Sequence, residues 1–398
     1  MLSRVATPFD AVIVGAGAVG AACAYYAARA GLSVAVVDRG SPAGGTTGAG
    51  EGNLLVSDKE PGPELELALL SARLWRELAE EWAGDIEYEP KGGFVVASDE
   101  AGLDVLCRFA ARQSSAGVET LLVGPELVRE VEPELAPHFA GAVYYPQDAQ
   151  VQPALATATL LRAARQAGAR LYLGELVTEV LTGAGGAVRG VRTSGRELAS
   201  PAVVNAAGVW GGELAALAGV SLPVLPRRGF VIVTEPLPPL VRHKVYAADY
   251  VADVASGSAG LQTSAVVEGT AAGPVLIGAS RERVGFDRTL SVDALRRLAS
   301  GAVTLFPVLE GVQAIRVYCG FRPYLPDHLP AIGEDPRAPG LLHACGHEGA
   351  GIGLAPVTGL LVAQILTGIE PAVDPAPLRP DRFASDASWQ APGRPPAR

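Results

Sequence analysis

Three glycines and one acid carry the first chemical signal in the chain. Gly15, Gly17 and Gly20 have the spacing G-x-G-x-x-G, and Asp38 follows 18 residues beyond the last of them. In this pattern the first glycine permits a tight turn, the second lets backbone approach a pyrophosphate, and the third lets a helix pack close to a strand. The acid accepts hydrogen bonds from a ribose diol and repels the 2′-phosphate of NADP. Ala18 and Val19 open the helix whose N-terminus faces the phosphates, and Arg39 borders the acid. The chemistry is the holding of an adenine dinucleotide; taken alone, the pattern suits NAD and FAD alike.

A second set of residues has binding and acid–base potential. Arg322, in C-G-F-R-P, offers a planar fork that grips a carboxylate through two parallel charge-assisted bonds; its plain alternative is a surface arginine. His347 stands in G-H-E-G-A-G-I-G, where a turn histidine serves either a ligand or a structural hydrogen bond. The stretch from Gly346 to Gly353 precedes an apolar helix over Leu354 to Leu366, whose N-terminal amides and dipole favour negative charge. Asn205 to Trp210 reads as a strand end and a glycine turn that opens a helix over Trp210 to Leu217, with Trp210 against a ligand or in the core. Cys23, Cys107, Cys319 and Cys345 lie far apart, with no C-x-x-C pair and no histidine cluster, so neither a metal site nor disulfides are expected.

The elements that must position these groups follow from periodicity. The apolar run Ala11 to Ala28 is long enough to suggest a membrane span, but Gly15, Gly17 and Gly20 divide it. It resolves into a strand, Phe9 to Val14, and a helix, Val19 to Ala30; a second strand follows at Ser33 to Val37. Leucines at 67, 70, 74 and 78 give one buried face to a helix over Glu64 to Trp82. Strands at Gly93 to Ala97, Ala142 to Tyr145 and Ala169 to Leu173, with a helix at Ala154 to Ala167, extend an α/β framework. Between Pro223 and Phe286 valine-rich strands (Phe230 to Thr234, Leu261 to Glu268, Val275 to Ala279) predict an antiparallel sheet. A helix at Val292 to Phe306 and a strand at Gly311 to Cys319 follow it.

With 398 residues, 49% hydrophobic and 19% charged, the chain has the length for two or three packed domains. A net charge of -10 argues against nucleic acid or anionic membrane as partner. Met1 to Asp10 lacks a basic region followed by an apolar one, so the cytoplasm is the expected location.

Four segments in order resemble the D-amino-acid-oxidase (DAO) superfamily of FAD-dependent oxidoreductases, across nearly the whole chain. They are V-I-V-G-A-G-A-V-G with Asp38, the loop G-G-T-T-G-A-G-E-G-N-L-L, the strand-turn V-V-N-A-A-G-V-W, and C-G-F-R-P-Y-L-P-D-H-L-P-A-I-G followed by G-H-E-G-A-G-I-G-L-A-P-V-T-G. The later segments discriminate against a NAD-linked dehydrogenase. Within the superfamily, E-G-N-L-L-V-S-D-K, I-G-A-S-R-E-R-V-G-F-D and C-G-H-E-G-A-G-I-G resemble the branch of opine oxidase and D-hydroxyproline dehydrogenase flavoprotein subunits, with glycine oxidase, sarcosine oxidase and hydrogen cyanide synthase as relatives.

The resemblance implies a Rossmann-like FAD domain in pieces (8–85, 142–220, 320–370), a mixed, largely antiparallel sheet substrate domain (86–141, 221–319) and a disordered tail (387–398). It implies an extended FAD: Thr46, Thr47, Gly52, Asn53 and Leu54 wrap the pyrophosphate and ribityl chain, and the Val177 backbone meets the adenine. Ala206, Ala207, Gly208 and Trp210 approach the cofactor, and Gly346, His347, Gly349, Gly351, Ile352 and Gly353 present amides to the flavin N1–C2=O edge. Arg322 pairs with an amino-acid carboxylate, and Tyr246 and Tyr250 form aromatic walls beside the substrate, His347 contacting flavin or substrate. Glycine oxidases carry an arginine two positions after that histidine; here Gly349 stands there, which leaves room for a ring or an N-carboxyalkyl amino acid. The implied activity is C–N dehydrogenation of a small amino-acid substrate by hydride transfer to flavin N5, preferentially of 4-hydroxy-D-proline or an opine. The alternatives are a glycine/sarcosine-type oxidase making hydrogen peroxide, and a flavoprotein subunit active only beside a companion flavoprotein and a small iron–sulfur subunit.

Overall fold

The structure is a computed structural model and describes residues 8–248 and 258–383. The apolar strand Ala11–Val14 is wholly buried and lies in the middle of a six-stranded sheet. Its order is Ala331–Glu334, Leu341–Cys345, Val203–Asn205, Ala11–Val14, Val34–Asp38, Arg170–Leu173, parallel except for the first pair. Alternation of side chains sends Ala11 and Ile13 to one face and Val12 and Val14 to the other. Four helices cover the first face: Ala18–Arg29, Pro63–Ile86, Pro153–Gln166 and Ala355–Thr367. The second face carries the three-stranded antiparallel sheet Val177–Thr182, Val188–Thr193, Glu197–Ala199 and the helix Gly211–Leu217.

The helix Ala18–Arg29 is built mainly of alanine and glycine, and this lets Ala355–Thr367 cross it at backbone distance. A Cβ on Gly359 would stand 2.5 Å from the Ala22 carbonyl carbon. From the second helix N-terminus, the chain runs back toward the turn that carries His347.

An eight-stranded sheet forms the other half of the molecule. Its order is Ala314–Tyr324, Leu225–Thr234, Val275–Arg281, Gln262–Gly269, Lys244–Ala247, Gly93–Ala97, Gly141–Tyr145, Leu121–Val123, antiparallel apart from the fifth and sixth strands. The helix Val292–Leu305 buries Leu298 against Phe230, Ile277 and Val245 on one face of it.

Two expected boundaries are corrected. Gly141–Tyr145, placed by sequence in an FAD piece starting at 142, pairs with Gly93–Ala97 inside the eight-stranded sheet, because its partner strand and not its helical follower fixes its place. Ala314–Tyr324 likewise runs beyond 320, held in register with Leu225–Thr234 through Arg227 opposite Arg322. The helices Glu100–Ser115 and Pro125–Val131 were not foreseen, although Asp99 caps the first by accepting the Gly102 N–H at 2.7 Å. The expected tail 387–398 lies outside the described residues. Among the described residues no helix is long and apolar enough to cross a membrane, and the four cysteines are unpaired.

Gly359→Ala should lower the thermal unfolding midpoint, at a cost of about 1–3 kcal/mol for overpacking. A midpoint equal to that of the parent protein would show that the two helices do not meet there.

Candidate active site

A cavity of about 1670 Å³ runs between the strand ends of the six-stranded sheet and the face of the eight-stranded one. The end at Gly15 and Gly17 is lined by backbone. Gly15 has φ +118°, and a Cβ there would lie 2.2 Å from the Ala206 carbonyl oxygen. Gly20 does not line the cavity; a Cβ on it would meet the Gly15 oxygen at 1.9 Å, so its role is helix-to-strand packing. Gly17, Ala18 and Val19 do line the cavity at the helix N-terminus. Thr47 Oγ1 accepts the Ala18 N–H at 3.1 Å, and Thr46 donates to the Phe321 carbonyl at 2.6 Å, tying the loop to both halves.

Asp38 accepts the Ala16 and Gly40 N–H groups at 2.8 and 2.7 Å, one on each carboxylate oxygen. Beside it the Arg39 guanidinium lies 4.0 Å over the Trp210 ring, and Trp210 stacks on Phe286 at 5.9 Å. Trp210 is therefore a wall of the cavity rather than a core residue. Val177, Ala206, Ala207 and Gly208 line the same stretch. Asn53 reaches the cavity, whereas Gly52 and Leu54 do not: Gly52 packs against the Val151 carbonyl, where a Cβ would come within 1.6 Å, and Leu54 pairs with Ala149.

At the C-terminal turn His347, Gly349, Gly351, Ile352 and Gly353 line the cavity; Gly346, at φ +83°, packs behind it on Leu325. His347 is buried, with Nε2 2.9 Å from Thr358 Oγ1. That hydroxyl donates its one proton to the Leu354 carbonyl at 2.8 Å, so Nε2 carries the imidazole hydrogen and Nδ1 is an acceptor. Burial lowers its pKa to about 4.

Arg322 lies half-buried on the sheet side of the cavity, its Nη1 donating to the Ser280 carbonyl at 2.7 Å. Gly229 makes room for this bond, since a Cβ there would sit 2.2 Å from Nη1. Beside Arg322 opens a recess of about 40 Å³ lined by Asp58, Lys59, Glu64, Arg281, His328, His347 and Glu348. Lys59 is held by Asp58 at 3.3 Å and Glu64 at 3.1 Å. Glu348 bonds Arg227 and, at 2.8 Å, His328. Burial opposes its ionisation, but the His328 hydrogen bond and the Arg227 charge hold the carboxyl at about 2.

Tyr246 is corrected: it is fully buried, its hydroxyl donates to Ser57 Oγ at 2.6 Å, and it does not line the cavity. Strand alternation turns it into the core between the sheet and the helices. Tyr250 lies outside the described residues. Sequence reading missed Glu51, Asp58, Lys59, Arg281, Glu348 and Gly229. The available signal for Glu51 was a lone acid between two glycines in G-E-G-N, within a loop already suspected of cofactor contact.

A glycine-lined cradle at two adjacent strand ends, joined to a sheet-walled pocket with a fixed arginine, defines a dinucleotide-dependent oxidoreductase. Residues 10–365 match the family described as DAO, FAD dependent oxidoreductase. The chain is 34% identical to glycine oxidase of Geobacillus kaustophilus over 93% of its length and 96% of the relative's. The crystal structure of a glycine oxidase from that organism superposes with a TM-score of 0.85, covering 94% of this chain and 99% of the other. It is also 31% identical to hydrogen cyanide synthase subunit HcnC of Pseudomonas aeruginosa, over 94% of this chain and 96% of the relative. The chain belongs to the DAO family of FAD-dependent oxidoreductases, enzymes that act on amino acids and amines.

The residues present fit FAD: Gly15 and Gly17 line the cavity with backbone alone where the pyrophosphate would lie, and the cavity continues from Asp38 to Arg322. Gly17 has an extended backbone, and a Cβ there would stand 3.1 Å from Thr47 Oγ1, so Gly17→Val should fold with a small shift of that side chain but crowd the cradle, weakening FAD binding on the order of 100-fold in a fluorescence titration. Wild-type affinity in that variant would remove Gly17 from the cradle. The buried His347 also sets a pH dependence. An unfolded histidine titrates near ~6.5, so between about pH 6.5 and about pH 4 the unfolded chain takes up a proton that the folded one refuses, and stability falls with falling pH. The stability gap between wild type and His347→Gln should therefore narrow across that window; a constant gap contradicts a neutral, buried imidazole.

Proposed function

We propose that the protein dehydrogenates the C–N bond of a cyclic or N-substituted amino acid, with 4-hydroxy-D-proline preferred over an opine and both over glycine or sarcosine. The observation that carries this reading is the open wall at Gly349, where the main cavity meets Arg322 and a recess of hydroxyl size. Gly349 faces the guanidinium, a Cβ there standing 3.7 Å from Nε, so no large side chain closes the space that a ring would need. The recess balances three cations (Lys59, Arg281, Arg322) against three carboxylates (Asp58, Glu64, Glu348). A second carboxylate, as in an opine, would meet as much repulsion as attraction there, whereas a ring hydroxyl can donate or accept.

In this reading Arg322, aligned by the Ser280 carbonyl and by Gly229, holds the substrate carboxylate, and Glu348 is kept charged as a fixed acceptor at the recess edge. FAD, when bound, supplies the two-electron oxidant. The name of the hydrogen cyanide synthase relative as a subunit favours an assembly, and we extend this to a companion flavoprotein and a small iron–sulfur subunit as electron acceptors. Unpaired, buried Cys23 and Cys345, whose thiols burial pushes up to about 12, suit a reducing cytoplasm.

The test is anaerobic addition of 4-hydroxy-D-proline, octopine, glycine and sarcosine to the FAD-loaded chain. 4-Hydroxy-D-proline should bleach the flavin band fastest; faster bleaching by glycine or sarcosine overturns the substrate reading. Arg322→Ala should cost about 2–5 kcal/mol in kcat/KM, as for a truncated buried charge pair. Rapid hydrogen peroxide formation on admitting air would favour an oxidase over a relay subunit.

A further inference from the structure

We propose that Glu51 takes the proton from the substrate nitrogen. This rests on the amino-acid reading above but not on which amine is oxidised. Glu51 lines the cavity, and its Oε1 is buried with no hydrogen-bond partner, while Oε2 accepts from Asn53 Nδ2 at 3.3 Å. Oε1 abuts Gly278, where a Cβ would come within 2.3 Å of it. Two residues further along the same strand, Ser280 fixes Arg322. Glu51 and Arg322 thus meet one strand two residues apart, and the Arg322 charge acts on the Glu51 carboxylate.

The other acceptors at this end of the cavity are committed. This holds for the described carboxylates that line it: both oxygens of Glu348 are bonded to Arg227 and His328, and Asp58 and Glu64 are paired with Lys59; the Nδ1 of His347 belongs to an imidazole that burial makes a weak base. Glu51 faces Lys244, Arg281 and Arg322, and a second carboxylate, Glu268, and the half-buried Tyr318 phenol stand close. Burial raises the Glu51 pKa, and the three cations offset part of that rise, which poises the carboxylate to accept a proton.

The step balances as follows. The substrate enters with a protonated nitrogen; one N–H bond breaks, and the proton forms an O–H bond at the Glu51 carboxylate. The nitrogen keeps the electron pair. FAD, when bound, would take the α hydrogen with its two electrons, which leaves the protonated imine.

The experiment compares wild type, Glu51→Gln and Glu268→Gln with whichever amine bleaches the flavin, so that a wrong substrate leaves this test intact. Wild type and Glu268→Gln should lose kcat/KM on the acid side, following a carboxylate that must be ionised. Glu51→Gln should lose that limb, fall on the order of 100- to 10,000-fold at neutral pH, and recover as the free amine becomes available at high pH. Binding of tetrahydro-2-furoate, which has a ring oxygen in place of the N–H, read from the perturbed flavin band, should be no weaker in Glu51→Gln. An acid limb retained in Glu51→Gln, or one lost in Glu268→Gln, overturns the inference. If Glu51→Gln does not hold FAD, the wild type alone decides: tetrahydro-2-furoate should bind tighter as Glu51 is neutralised by falling pH, and flat affinity overturns it. If no amine bleaches the wild type, the substrate reading fails instead.

Discussion

A side chain on Gly15 would place its Cβ 2.2 Å from the Ala206 carbonyl oxygen, and the rest of the site depends on that close approach. The two turns leave neighbouring parallel strands, with Val14 registered on Asn205, and close over one another at the sheet edge. The second turn is held from below by Asn205, whose Nδ2 donates to the Gly211 carbonyl at 2.8 Å and meets His343 Nδ1 at 3.1 Å. With Nδ1 accepting, the other nitrogen of His343 donates to Asp335 at 3.2 Å. Each buried polar group is thus satisfied by the next, so the turn is positioned by a chain of hydrogen bonds and not by contact with the ligand.

Charge at the opposite end is organised differently. The recess beside Arg322 holds paired ions, and Arg227, almost wholly buried, is bonded to both Glu348 and Gln262. Buried pairs of this kind add little stability over apolar residues of similar size, because desolvation offsets attraction. Their value is positional: they fix where carboxylates and cations stand before a substrate arrives, and reorganisation on binding is small. Glu51 is less fully tied: Asn53 donates to its Oε2 at 3.3 Å, and its Oε1 has no hydrogen-bond partner among the described residues.

The dinucleotide half was legible because its signals are local. Strand, glycine turn, helix and acid occupy residues 11–38 in unbroken order, and Gly15 and Gly20 each answer a backbone contact found nearby. The substrate half was legible only as a sheet. Its strand limits were set by partners far along the chain: Ala314–Tyr324 runs past 320 because Leu225–Thr234 pairs with it. For the same reason Tyr246 was read as an aromatic wall, when the register of its strand turns it toward Ser57. The recess ions come from the loop at 58–64, the strand end at Arg281 and the turn at Glu348, and no sequence spacing brings those three together.

The turn at 346–353 joins these two kinds of order. Trp75 Nε1 and Ser71 Oγ donate to the Gly353 carbonyl at 3.1 and 2.6 Å, anchoring the turn to the helices of the six-stranded sheet. The Glu348 N–H donates to the Pro323 carbonyl at 2.9 Å, anchoring the same turn to the strand that carries Arg322. A loop tied on both sides cannot adjust one neighbour without moving the other. The amides that would face the flavin and the glycine that leaves room beside Arg322 are therefore parts of one rigid piece. Substrate size and cofactor geometry are mechanically coupled through it, and a side chain introduced at Gly349 would press on both.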